Sequence, residues 1–200
     1  MIPTAPLRAR NRLAELILAS LADSGARDQL AAIGRPDADA PAWFVDDDLP
    51  YRHLLRERAR SACAALASRP PGAAVRSLAD VLDAAAMLFD AYLFFEVHEL
   101  LEGHWRDARG DDREALQGLI QVAVGYQHLA NSNFAGARAL LEEGSDRLLG
   151  RRLDGVELEP FAHAVRRSLG RLLEFDWQAV PAFPGAACRA VRRTHREDPS

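Results

Sequence analysis

The sequence predicts an all-α protein: a helical bundle with a central helix surrounded by others, built from stacked antiparallel hairpins, with no sheet. Three observations carry this prediction. Apolar residues recur at spacings of three and four through most of the 200 residues. No segment shows the period-two alternation of a half-buried strand. Breaks rich in Gly, Pro and Asn join the helical stretches through short links, which makes neighbouring helices antiparallel. An apolar content of 48% is enough to bury a core.

Residues 7–33 present Leu13, Leu16, Ile17, Leu21, Leu30 and Ile33 as an amphipathic pattern, divided at Ser24-Gly25. Residues 34–50 hold Pro36, Pro41, Pro50 and five aspartates, which bar a helix or a central strand. Asp46-Asp47-Asp48 lacks the alternation, glycine and distal Glu of a calcium loop and reads as a solvated segment before the next helix, with Trp43 and Phe44 pinning it to the core. Helical stretches follow at 51–68 and 75–89, separated by Arg69-Pro70-Pro71-Gly72, and Asp90-Ala91-Tyr92 forms a turn. The main helix spans 93–108 and ends at Gly110, a left-handed C-terminal residue. Asp111 with Glu114 caps helix 113–130. Asn131-Ser132-Asn133 breaks the chain and caps helix 134–149. Residues 150–158 read as a loop, 159–175 as a helix, and Pro181, Pro184 and Gly185 mark an irregular tail. Phe94 and Leu100-Leu101-Glu102 recur as Phe134 and Leu140-Leu141-Glu142, a weak repeat of the kind that stacked helical hairpins show.

Composition excludes several functions. Net charge is −4 and the calculated pI about 5.9, which argues against a nucleic-acid partner. All 25 basic residues are Arg, so no lysine in this chain can form a Schiff base or serve a phosphate-binding loop. Arg189, Arg192, Arg193 and Arg196 form a basic stretch, but it has no interleaved aromatic residue and is diluted by Glu197 and Asp198. Cys63 and Cys188 have no Cys or His at ligand spacing and read as reduced thiols. No apolar run approaches the ~18 residues of a membrane span, and Glu15 interrupts the N-terminal apolar run that would otherwise resemble a signal peptide. The expected setting is the cytoplasm, with no membrane partner.

The polar residues of two neighbouring helices point to a site. On the main helix His98, Glu102 and Trp105 fall at i, i+4 and i+7, with Glu99 beside them and Glu96 nearer the apolar side. On the next helix Gln117, Gln121 and His128 form a stripe in a segment too apolar for a surface helix. If the stripes face each other, His98, Glu99, Glu102, Gln117, Gln121 and His128 line one crevice, with Trp105 as its wall and Arg113 near its end. Glu96 expects an arginine partner, Arg113 or Arg138.

Two readings of this set stand side by side. One is a structural hydrogen-bond network that locks helix register. The other is a site in which His98, Glu99, Glu102 and His128 are catalytic groups, or His98, Glu102 and His128 hold a divalent metal. The pattern departs from known metal signatures: His98-Glu99-Leu100-Leu101-Glu102 lacks the second His of a zincin, and no helix carries a di-iron Glu-x-x-His.

These residues resemble the family called domain of unknown function 309. The resemblance runs from Phe95-Glu96-Val97-His98-Glu99, Glu102 and Trp105 through Leu116-Gln117-Gly118-Leu119-Ile120-Gln121 and His128 to Asn133-Phe134-Ala135-Gly136-Ala137. It covers roughly residues 85–150, implies an all-α bundle with a central helix, and implies no known activity. Asp90-Ala91-Tyr92-Leu93-Phe94 is bulkier than the family's turn, and Asn131-Ser132-Asn133 replaces its Gly-Asn.

Residues 1–80 are then expected to be a helical extension, 81–180 the core and 181–200 a tail. The functional expectation is a crevice for a small molecule or divalent metal with hydrolytic or proton-transfer chemistry. The alternative is a non-enzymatic hairpin scaffold for a protein partner or a second copy of the chain.

Overall fold

In the computed structural model of the protein, residues 6–37 and 39–185 are described, Arg171 by its backbone alone. Eight α-helices run through them: α1 (Leu7–Ala19), α2 (Ser24–Gly34), α3 (Arg52–Leu66), α4 (Leu78–Asp90), α5 (Phe94–Trp105), α6 (Gly110–Ala130), α7 (Phe134–Leu148) and α8 (Glu159–Ser168). None of them is long and apolar enough to cross a membrane. The expected Cys188 thiol and the basic stretch after it lie outside the described residues.

Helix α6 is the central helix. Ala115, Leu119, Val122, Ala123 and Tyr126 are all inaccessible, and α6 packs most extensively on α7 and next on α5. The core is continuous across the chain, from Leu13 and Ile17 of α1 to Phe161 of α8. At its centre Phe89 of α4 meets Phe94, Tyr126, Phe161 and Phe183, with ring centroids 5.0–6.0 Å apart. Edge-on aromatic contacts of this kind add to the burial of large apolar area. Tyr126 donates or accepts a 3.1 Å bond with Ser168, and burial pushes its hydroxyl up to about 12.

The weak sequence repeat is a repeat of structure. In the α4–α5 turn the Leu93 amide donates to the Leu88 carbonyl and the Tyr92 amide to Phe89, each at 2.9 Å. In the α6–α7 turn the Asn133 amide donates to His128 and the Ser132 amide to Leu129, also at 2.9 Å. The residue that turns the chain is left-handed in both, Tyr92 at φ 58° and Ser132 at φ 59°. This is the paired-bond closure of a helix C-terminus, here without the usual glycine.

Several expectations need correction. The chain does contain a sheet: Arg152–Leu153 (β1) pairs antiparallel with Val156–Glu157 (β2) through Asp154-Gly155, both at positive φ. Asp-Gly is a strong hairpin signal, so the loop expected at 150–158 was a strand pair in disguise. The first break falls at Ser20–Asp23 rather than at Ser24-Gly25, because Asp23 caps α2 by accepting from the Gly25 and Ala26 amides. Gly110 is left-handed as expected (φ 56°), but α5 ends earlier and Gly110 opens α6. Asp111 pairs with Arg151 at 2.6 Å instead of capping. Helix 159–175 gives way to a 3-10 segment at Leu169–Glu174. Asp48 is buried rather than solvated: it pairs with Arg8 of α1 and accepts from the Val45 amide at 3.0 Å. Trp43 and Phe44 do pack on the core, and Asn133 does cap α7, accepting from Gly136 at 3.1 Å.

Candidate functional site

Helix α5 buries Phe94, Val97 and Leu101, the i, i+3, i+7 stripe that seats it. Glu96 lies on the same side and is wholly inaccessible, so its charge requires a partner. That partner is Arg58 of α3, whose Nε donates to Oε1 at 2.8 Å while a terminal nitrogen donates to Oε2. The expected partners are engaged elsewhere. Arg113 lies 3.7 Å over the Trp105 ring and donates to the Trp105 carbonyl at 2.8 Å. Arg138 pairs with Glu142 at 3.4 Å. Glu96 thus fastens α3 to α5. No sequence signal identified Arg58, because the pair spans 38 residues and two helices.

The outward side of α5 carries the cluster. His98 Nδ1 lies 3.2 Å from a Glu99 oxygen, and Nε2 lies 3.4 Å from a Glu102 oxygen. One ligand atom from each of the three residues falls within 4.8 Å of the others, a spacing able to hold a metal ion. The side chains retain 26%, 40% and 30% of their exposure, so solvent reaches a cluster that is nevertheless partly walled. Two arginines flank it. Arg106 donates to Glu102 at 3.2 Å, and Arg10 of α1 stacks 3.9 Å over Phe95, the ring beside His98. Burial, then the charge of Arg58, lower the proton affinity of Arg10; Glu99 and Glu96 pull the other way.

The α6 stripe has different neighbours. A Cβ at Gly118 would stand 2.7 Å from Leu148, one at Gly125 2.7 Å from Leu141, and one at Gly144 2.9 Å from the Gly118 carbonyl. This is the face on which α6 and α7 touch backbone to backbone. Gln121 lies on it and is buried: it hydrogen-bonds Glu143, which holds that carboxyl below its usual range, and Arg147 bridges Glu143 at 3.0 Å and Glu114 at 2.5 Å. His128 lies on it too, with Nδ1 2.6 Å from the Asn133 amide nitrogen. Gln117 is half-buried on the same helix.

The single crevice expected from facing stripes is therefore two sets of contacts. His98, Glu99 and Glu102 come together on α5, while Gln121 bonds to Glu143 of α7 and His128 to Asn133, which caps it. The reason is steric. Glycines three residues before and four after Gln121 let α7 approach, and that closest approach fixes which way the stripe points. Those glycines were the available signal, and the polar spacing masked it. Trp105 is committed to Arg113 at the α5–α6 link, and its buried Nε1 has no hydrogen-bond partner among the described residues. His104 is exposed, with Nδ1 3.3 Å from the Leu100 carbonyl.

No curated protein and no solved structure is significantly similar to the chain. Residues 82–140, which hold α5, α6 and the start of α7, match the family model described as Domain of unknown function (DUF309).

Proposed function

We propose that the protein binds a divalent cation at His98, Glu99 and Glu102 and uses it on a small substrate in hydrolytic or proton-transfer chemistry. The observation that carries this reading is an imidazole with a carboxylate oxygen at each of its two nitrogens, beside open solvent. One imidazole nitrogen binds one metal. The i, i+4 pair His98 Nε2 and Glu102 is the natural ligand pair, and Glu99 then accepts the Nδ1 proton and fixes the ring. Two or three protein ligands leave coordination positions for water and substrate, the condition for activating a bound water. Arg106 competes with the cation for Glu102.

Elemental analysis and thermal unfolding of the full chain loaded with zinc or manganese test the reading. At about 100-fold excess over Kd a bound ion contributes about 2.7 kcal/mol, which raises Tm by roughly 5–10 °C in a chain of this size. His98→Ala abolishes the shift, whereas Arg106→Ala enlarges it. Wild-type protein with no bound metal and no shift refutes it.

A second reading, a scaffold for a protein partner, is favoured by the repeated hairpin turn. The exposed rings of Tyr92 and Trp177, 5.8 Å apart at the first turn, offer an apolar contact.

A further inference from the structure

A cleft of about 320 Å³ lies where α1 and α3 meet the α4–α5 turn and the last turn of α6. Its polar lining includes two arginines, Arg10 and Arg58, with Ser61, Gln127 and Asn131. Leu55 and Leu93, both buried, give it an apolar floor. Its volume and its few converging polar groups on an apolar base are those of a small-molecule site.

The two arginines differ in what they already hold. Arg58 is turned toward buried Glu96 by a two-point contact that satisfies one edge of its guanidinium. The contacts of Arg10 are with neutral groups: the Asn11 side-chain oxygen at 3.1 and 3.3 Å and the face of Phe95. The ring holds the guanidinium plane in place and Asn11 takes the Nε–Nη2 edge, which leaves the Nη1 side for a carboxylate or phosphate. Burial and then the charge of Arg58 lower the proton affinity of Arg10, against the opposing pull of Glu99 and Glu96. An anion at the Arg10 guanidinium adds a direct charge-assisted partner where the present ones are neutral. Glu57 lines the cleft as well, and its carboxylate suits a hydroxyl or amine on the same ligand.

We propose that this cleft binds a small organic anion, a carboxylate or phosphate ester that also bears a hydroxyl or amine, with Arg10 as the primary anion ligand and Ser61, Gln127 and Asn131 as the neutral hydrogen-bonding groups. The site is separate from the α5 cation cluster and does not rest on it. Arg10 joins the two, lying over Phe95 beside His98 on one side and lining the cleft on the other.

The test titrates metal-free full-length protein, in the presence of EDTA, with inorganic phosphate and separately with citrate, at ionic strength matched by sodium chloride. Calorimetry and thermal unfolding are the readouts. At least one probe binds wild type and raises its Tm above the chloride control. Phosphate alone assigns the ligand group to a phosphate ester, citrate alone to a carboxylate. Arg10→Gln weakens binding about tenfold or more, the cost of one charge-assisted contact. Ser61→Tyr, which fills the cleft with every charge kept, does the same, and it decides alone if Arg10→Gln does not fold. Arg138→Gln, on the exposed side of α7, binds as wild type. The proposal is overturned if neither probe outperforms chloride, or if folded Arg10→Gln or folded Ser61→Tyr binds as wild type does.

Discussion

The hairpins α4–α5 and α6–α7 share the two bonds that close their turns, forty residues apart, yet only α5 carries a His–Glu–Glu cluster. Where α5 has buried Val97 and Leu101, α7 has buried Ala137 and Leu141. Where α5 has the half-buried pair His98–Glu102, α7 has the exposed pair Arg138–Glu142, both at 3.4 Å. Where α5 has Glu99, α7 has Ala139; where α5 has buried Glu96, α7 has Gly136. The backbone motif is thus indifferent to its polar cargo. An i, i+4 pair of opposite charges is an ordinary helix-surface device worth a few tenths of a kcal/mol. What distinguishes α5 is an imidazole in place of a guanidinium, a second carboxylate, and shelter provided by α1.

The largest expected difference between the hairpins lies at Glu96 and Gly136. Removing one member of a buried ion pair strands the other, so Arg58→Ala destabilises by about 3–5 kcal/mol in urea unfolding. At the matching position of the second hairpin, Gly136→Ala drives a Cβ to 2.6 Å from His128 Nδ1 and the Asn133 amide. Both are movable side-chain tips, so the loss is that of their hydrogen bond, about 1 kcal/mol. Equal effects at the two positions would break the distinction between a hairpin fastened by charge and one fastened by close approach.

Glycines sharpen the same contrast. Gly144→Ala meets the Gly118 carbonyl at 2.9 Å and the Val122 amide nitrogen at 3.0 Å, backbone that cannot swing away. It costs about 1–3 kcal/mol. Gly103, in the last turn of α5, has nothing within 4 Å of its added Cβ, and Gly103→Ala stabilises by about 0.5 kcal/mol through helix propensity. Thermal or urea unfolding of the two variants must therefore move in opposite directions.

A smaller effect is set by acid at the two ends of α4. Asp80 accepts from the Ser77 and Arg76 amides in a capping box, which lowers its carboxyl from 3.8 to about 2. A folded value below the unfolded one stabilises at pH above 3.8, and that contribution is lost as pH falls from 3.8 to about 2. Asp90, at the C-terminal end, is pushed up by burial, with the Phe183 amide opposing. A raised carboxyl costs stability at pH above its folded value, and the cost disappears on acidification. Asp80→Asn therefore flattens the acid limb of a stability–pH curve, while Asp90→Asn raises stability at neutral pH and has no such effect at pH below 3.8.

The fold was legible because helical periodicity and turn residues are local. Asn133 at its cap and Trp43 on the core followed from short-range patterns. The strand pair at Asp154-Gly155 was equally local, and its signal was present in the dipeptide. The site was legible only in half. A helical wheel groups His98 with Glu102 correctly, since that depends on one helix alone. It does not say which neighbour a face will meet, and Gln121 and His128 went to α7 because Gly118, Gly125 and Gly144 let that helix come closer than any other. Arg58 and Arg10 were beyond reach for a related reason: each arrives from a distant helix whose docking no local pattern encodes.

The proposed cation site separates α5 from α7, and exchanging their residues measures the difference. Manganese and zinc titrated by calorimetry into wild type, His98→Arg and Arg138→His put the comparison to one test. His98→Arg converts the α5 pair into the kind α7 has and keeps the fold. Binding at one site in wild type, lost in His98→Arg and not doubled in Arg138→His, is the predicted result. Absence of binding to wild type, or equal binding by the folded His98→Arg protein, contradicts it.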